Sequence, residues 1–162
     1  MVYTYILGRT RFFRRKDRVF LWYTNIYSLY RFGLTKDDKM ERIAFIDLGS
    51  NSVRFVIYEI SDTGSYRLIY QEKNSIRLSE NMWGNHKLTE PAMNRALVSL
   101  QSYVHMAKAL EVNSTKAVAT AAVRLAKNGD EFIETVKRET GLDLECISGE
   151  EEARLGFLGV IN

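Results

Sequence analysis

Three short segments of this 162-residue chain carry the side-chain types that handle phosphate. The first is Asp47-Leu48-Gly49-Ser50-Asn51-Ser52. Asp47 ends an apolar run. The turn after it offers backbone N–H groups opened by a glycine, two hydroxyls and an amide, the donors a tetrahedral oxyanion needs. A carboxylate repels a bare phosphate, so Asp47 makes sense there only with a cation or a water between the two. The plain alternative is a hairpin turn whose polar residues serve turn geometry. The second segment is Ala119-Thr120-Ala121-Ala122-Val123-Arg124. Thr120 suits the N-cap of a helix, and Arg124 falls one turn into it. Helix N-termini favour anions, and a guanidinium grips two phosphate oxygens at once. The alternative is a solvent-facing arginine on an amphipathic helix. The third segment is Ile147-Ser148-Gly149-Glu150-Glu151-Glu152-Ala153-Arg154. With Ser148 as N-cap, Glu151 completes a Ser-x-x-Glu capping box, and Glu150 sits where the helix dipole favours a carboxylate. Glu152 has neither structural task and is the carboxylate that could act on a water. Here the alternative is a charged, solvated helix start.

These segments need strands and helices to hold them. Ile43–Ile46 is a continuous apolar run, as in a buried strand. Val53 to Ile60 reads as a second strand with Val53, Phe55 and Ile57 on one face, and 61–64 as a turn. Tyr66 to Leu78 reads as a third strand with a bulge near Asn74. Three strands joined by short loops imply an antiparallel meander. A strand follows the Asp47 loop, which argues against a P-loop or dinucleotide fold, where a helix follows. Thr89-Glu90-Pro91 opens a helix to about Glu111, with Met93, Ala96, Leu97, Leu100, Val104, Ala107 and Leu110 as its apolar stripe. Lys116–Ala119 is a strand, 121–127 and 130–139 are helical with Gly141 closing the second, Leu142–Ile147 is a strand, and Ser148 opens a last helix. The order is βββαβαβα, with the second helical connection in two pieces. That is an α/β layer on a mixed sheet.

The net charge of +3 averages two unlike parts. Residues 1–39 hold nine Lys/Arg against three Asp/Glu, and ten of the nineteen aromatics. The remainder holds fourteen against seventeen, so the basic character is not a nucleic-acid footprint of the whole chain. The apolar stretch in 1–39 is too short and polar to span a membrane, and no small-residue cleavage site follows it. The segment reads as an appended extension, with a basic amphipathic membrane-surface segment as the alternative. The domain is expected over 40–162. One cysteine, Cys146, excludes an intrachain disulfide and a zinc-ligand cluster. His86 and His105 read as surface or packing residues. A cytoplasmic protein is the expectation.

The order and spacing of the three segments resemble one family. Ile46 to Arg54 looks like the first phosphate loop of the exopolyphosphatase/guanosine-pentaphosphatase (Ppx/GppA) family. Thr120 to Arg124 resembles its arginine segment, Ile147 to Leu155 its most recognisable signature, and Ile76-Arg77-Leu78-Ser79-Glu80 the end of its third strand. The resemblance implies a ribonuclease H-like domain of the actin-like ATPase superfamily. It implies that Asp47 helps hold Mg²⁺ or order water, that Gly49, Ser50, Asn51 and Ser52 cradle the terminal phosphate, that Arg124 neutralises charge on the transferring group, and that Glu152 is the general base. Positioning and charge stabilisation are what phosphoryl transfer mainly demands. Inorganic polyphosphate and guanosine pentaphosphate are both implied as substrates. The family's second phosphate loop and second domain would lie beyond Asn162. The expectation is therefore that these 162 residues alone do not turn over. A phosphate-binding or regulatory module without turnover is the alternative. A sugar- or acetate-kinase-type relative is disfavoured by the Ser-Gly-Glu-Glu-Glu-Ala-Arg segment. A homodimer is left open.

Overall fold

In a computed structural model the described residues are 40–61, 65–82 and 84–161. The basic extension 1–39 and the turn residues 62–64 lie outside them. The chain divides into two compact units, residues 36–148 and residues 1–35 with 149–162.

The first unit holds strands β1 (Glu41–Leu48), β2 (Ser52–Ile60) and β3 (Tyr66–Ser75), helix α1 (Glu90–Ala109), strand β4 (Ser114–Ala119), helices α2 (Ala121–Leu125) and α3 (Gly129–Thr140), and strand β5 (Leu144–Cys146). Helix α4 (Gly149–Ile161) belongs to the second unit. The strands form one mixed sheet in the order β3-β2-β1-β4-β5. The first three pair antiparallel as the expected meander, while β4 lies parallel to β1 and β5 parallel to β4.

One face of the sheet carries Ala44, Ile46, Leu48, Val53, Phe55, Ile57, Ala117 and Ala119, all buried. Helices α1 and α3 supply the other half of this core through Ala92, Ala96, Leu100, Tyr103 and Ala107, and Phe132 and Val136. Burying one large apolar side chain contributes about 1.5–3 kcal/mol, so this cluster dominates stability. The buried stripe of α1 is the expected one only in part: Ala96, Leu100 and Ala107 are buried as expected. Met93, Leu97, Val104 and Leu110 are only partly buried at its margin, while Ala92 and Tyr103 face the sheet. The alanines allow close approach, and Tyr103 stacks on Phe55 with centroids 4.7 Å apart.

The Tyr103 hydroxyl is buried and has no hydrogen bond of good geometry among the described residues, although the Asn74 backbone approaches it. Burial pushes this phenol well above its ordinary pKa. Removing an unsatisfied buried hydroxyl removes a desolvation cost, so Tyr103→Phe is expected to stabilise by roughly 0–1 kcal/mol. Urea unfolding checks this; a loss above about 1 kcal/mol would show that the hydroxyl has a partner after all.

Two local differences have clear causes. β3 stops at Ser75 instead of Leu78, because Arg77 turns to φ 48° and its N–H and that of Ile76 both bond to Asn51 O. The register skips Ile69, opposite Ile57 and Tyr58, so the irregularity in β3 lies there and not near Asn74. Elsewhere Gly141, at φ 75°, closes α3 as expected, its N–H bonding to Lys137 O at 2.9 Å.

The sheet end remote from the Asp47 loop is locked by charge. Glu59, almost fully buried, accepts from Arg42 Nε at 3.1 Å and Arg67 Nε at 2.6 Å, and Arg42 also donates to Leu110 O. The hydrogen bond from Arg67, with that from Arg42, holds the Glu59 carboxyl below its ordinary range. No helix among the described residues is long and apolar enough to cross a membrane.

Candidate phosphate site

The three parallel strands end flush. Leu48, Ala119 and Cys146 stand side by side in register. The bonding continues one residue past each end: Thr120 N–H donates to Leu48 O at 3.2 Å, and Ile147 N–H to Ala119 O at 3.1 Å. The 49–52 loop, Thr120 and Ile147 therefore leave the sheet at one edge, the carboxyl edge where open α/β sheets hold their ligands.

Asp47, partly exposed, occupies the penultimate position of β1, opposite Arg54 on β2 and Val118 on β4. In the loop, Gly49 N–H bonds to Ser52 O at 3.0 Å. A Cβ on Gly49 would stand 3.1 Å from the same oxygen, so glycine fits this closure where a side chain would crowd it. The contribution of Gly49 is thus the shape of the loop. The carbonyls of Ser50 and Asn51 are taken from behind: Ser79 N–H bonds to Ser50 O at 3.0 Å, and Ile76 and Arg77 N–H to Asn51 O at 3.0 and 2.9 Å. The N–H groups of Ser50 and Asn51 make no backbone hydrogen bond among the described residues. They are the donors an anion could take.

Arg124 lies near the end of α2, and its Nη1 donates to Ile147 O at 2.7 Å. That bond ties the guanidinium to the chain leaving β5. Helix α2 has only five residues, and the Thr120 side chain makes no capping hydrogen bond. The charge at this point therefore comes from the guanidinium more than from a helix dipole. The structure brings Asp47, the 49–52 loop and Arg124 together at one edge of one unit. Glu152 is in the first turn of α4 in the other unit and is half-buried. Its neighbour Glu151 accepts a fork from Arg154 Nε and Nη2, both at 2.7 Å, and that hydrogen bonding holds the Glu151 carboxyl below its ordinary range.

Among the described residues no three His, Cys, Asp or Glu side chains gather as a ready cation cage. One carboxylate at a phosphate loop still suits Mg²⁺, which keeps most of its waters and takes its other ligands from substrate oxygens. Asp47 fits that donor set.

Sequence reasoning missed the supports. Asn128 pairs with the Leu88 backbone, Oδ1 accepting from N–H at 2.8 Å and Nδ2 donating to O at 3.1 Å. Arg95 holds the segment behind the loop. Gly129 packs its backbone against Val123. Of these, only Gly129, a glycine opening a helix, leaves a trace in the sequence.

A mixed sheet that opens with a meander, with a polar hairpin loop and an arginine at its carboxyl edge, defines an α/β domain of mixed-sheet type. Residues 56–162 match the model of the Ppx/GppA phosphatase family. The chain belongs to that family. It is 38% identical over 129 residues to guanosine-5'-triphosphate,3'-diphosphate pyrophosphatase of Pseudoalteromonas atlantica, covering 78% of this chain and 25% of that protein. Among solved structures it is similar to a Ppx/GppA family member from Aquifex aeolicus, with a TM-score of 0.69 and 37% identity over 72% of this chain and 38% of that one. It is also similar to an exopolyphosphatase from Cytophaga hutchinsonii, with a TM-score of 0.67 and 31% identity over 70% of this chain and 36% of that one. The chain thus spans about a quarter of the curated relative's length and less than two-fifths of these solved chains.

Proposed function

We propose that the chain supplies the phosphate-handling part of a hydrolase that cleaves the terminal phosphoanhydride of guanosine pentaphosphate or inorganic polyphosphate. The observation that supports this most is the flush carboxyl edge, where the 49–52 loop and Arg124 leave adjacent parallel strands. The Ser50 and Asn51 N–H groups, with the Ser50 and Ser52 hydroxyls and the Asn51 amide, bind the terminal phosphate. Arg124 offsets the charge that gathers on the transferring group, the stabilisation phosphoryl transfer relies on. Asp47 orients water at the phosphate and would hold Mg²⁺, whose chemistry is to neutralise charge across the phosphoanhydride. Glu152 takes the proton of the attacking water. Guanosine pentaphosphate is favoured by the relative named for a guanosine triphosphate diphosphate, and polyphosphate by the relative named an exopolyphosphatase. A cytoplasmic location is part of this proposal.

One edge of one sheet meets the phosphate from one side only. A second domain must meet it from the other, so the 162 residues alone are expected to release phosphate at background rate. The test is phosphate release from both substrates with Mg²⁺ present, by the chain alone and by a protein joining it to a second family domain. Turnover only in the joined protein is the expected result. Robust release by the chain alone would overturn the need for a second domain. Binding without turnover in both would favour the phosphate-binding module.

A further inference from the structure

We propose that Arg95 on α1 is a positioning residue for the phosphate loop, acting through residues 76–80; this rests on the phosphate reading of the loop given above. Arg95 Nε donates to Ile76 O at 2.8 Å, and its Nη2 to Arg77 O at 3.4 Å and to Glu80 Oε2 at 2.6 Å. One guanidinium thus spans five residues of chain. Its ion pair with Glu80 is half-exposed and contributes little alone, so the grip comes chiefly from the bond to the Ile76 carbonyl. The segment it grips carries the donors that take the Ser50 and Asn51 carbonyls: Ile76 and Arg77 N–H on Asn51 O, and Ser79 N–H on Ser50 O, with the Ser79 hydroxyl at 3.4 Å from the same oxygen.

The consequence follows from the peptide bond. In a trans peptide the N–H points opposite to the C=O of the same plane. Fixing Ser50 O towards Ser79 aims the Asn51 N–H, one of the two donors proposed for the phosphate, away from residues 76–80, and fixing Asn51 O sets the next plane, which carries the Ser52 N–H. Two successive planes are therefore set by donors that Arg95 holds in place. Arg77 is in the left-handed region at φ 48°, unusual for a residue with a side chain, and there its N–H reaches the same oxygen as that of Ile76. Preorganised donors bind an anion without reordering, which is why holding them fixed should matter for affinity.

The test uses the 162-residue chain, with Arg95→Met as the variant and Arg95→Lys as the conservative one. Val136→Ala, on the buried face of α3, serves as a destabilised control with no bond to residues 76–80 or to the loop. Two quantities are read: amide hydrogen exchange at Ile76, Arg77 and Ser79, and affinity for tripolyphosphate by calorimetry. In Arg95→Met, exchange at these amides is expected to quicken about tenfold with Tyr58 unchanged, and affinity to fall about tenfold, the size of one or two lost charge-assisted hydrogen bonds. Lysine keeps the charge but lacks the planar fork of the guanidinium, and restores part of the affinity. Val136→Ala keeps affinity within about twofold despite its lower stability. Unchanged exchange in Arg95→Met would overturn the clamp. Faster exchange with unchanged affinity would overturn its role in positioning. Equal loss of affinity in Val136→Ala would reduce Arg95 to a general stabiliser. Absence of tripolyphosphate binding by the unaltered chain would overturn the phosphate reading, and the positioning role with it.

Discussion

Glu152→Gln is expected to lower kcat by about 10²–10⁴-fold in a protein that joins this chain to a second domain, with KM nearly unchanged. Glu151→Gln is expected to change kcat by less than about threefold. The two residues are adjacent in the first turn of α4, so the contrast tests role and not location. A general base must hold a proton affinity near the working pH. The Arg154 fork on Glu151 lowers its affinity for a proton and occupies both of its oxygens. Glutamine at 152 keeps size and polarity but cannot accept the proton of an attacking water. Steady-state phosphate release by the two variants decides the matter. Equal losses, or a larger loss at 151, would reassign the base.

Gly129→Ala is expected to destabilise the chain by about 2–3 kcal/mol, the upper range for overpacking. The sign is opposite to the ordinary gain of about 1 kcal/mol for replacing glycine by alanine in a helix. The reason is contact: a Cβ at 129 would stand 2.2 Å from Val123 O and 3.2 Å from Val123 C. Both are backbone atoms of α2, so no side chain can swing aside. Relief requires α2 to shift away from α3, and α2 carries Arg124. The substitution is therefore also expected to weaken tripolyphosphate binding, through displacement of a guanidinium it never touches. Urea unfolding measures the first effect. A stabilised Gly129→Ala would show that the two helices already stand further apart.

The candidate site residues were more legible than those that support them. Asp47 at a strand end, the glycine and hydroxyls after it, and Arg124 one turn past Thr120 have types and spacing that a local reading can weigh. Their meeting at one edge needed only the inference that β1 and β4 are neighbours, which the strand order supports. The buried face of α1 was misjudged in part, for a physical reason. Tyr103 is the most sheltered large side chain there, yet its hydroxyl excluded it from an apolar stripe, and Ala92 is too small to mark a face. β3 was read three residues too long, because Ile76 and Leu78 keep the alternation of a strand while Arg77 has left it. Both apolar side chains are still buried, so the period survived the loss of the backbone geometry. Arg95, Asn128 and Gly129 act over sequence distances of nineteen, forty and six residues, through bonds or contacts to backbone. No local pattern encodes such partners, since a backbone carbonyl looks the same in every residue.

The central claim is that the 49–52 loop and Arg124 share one phosphate. It is tested most directly by ¹H–¹⁵N amide spectra of the chain during titration with tripolyphosphate, for the unaltered protein and for Arg124→Ala. The Ser50 and Asn51 amide signals are expected to move first and furthest, and Arg124→Ala to weaken this response about tenfold or more, as for a lost charge-assisted pair. Signals that move elsewhere while Ser50 and Asn51 stay in place, or an Arg124→Ala titration that overlays the unaltered one, would contradict it.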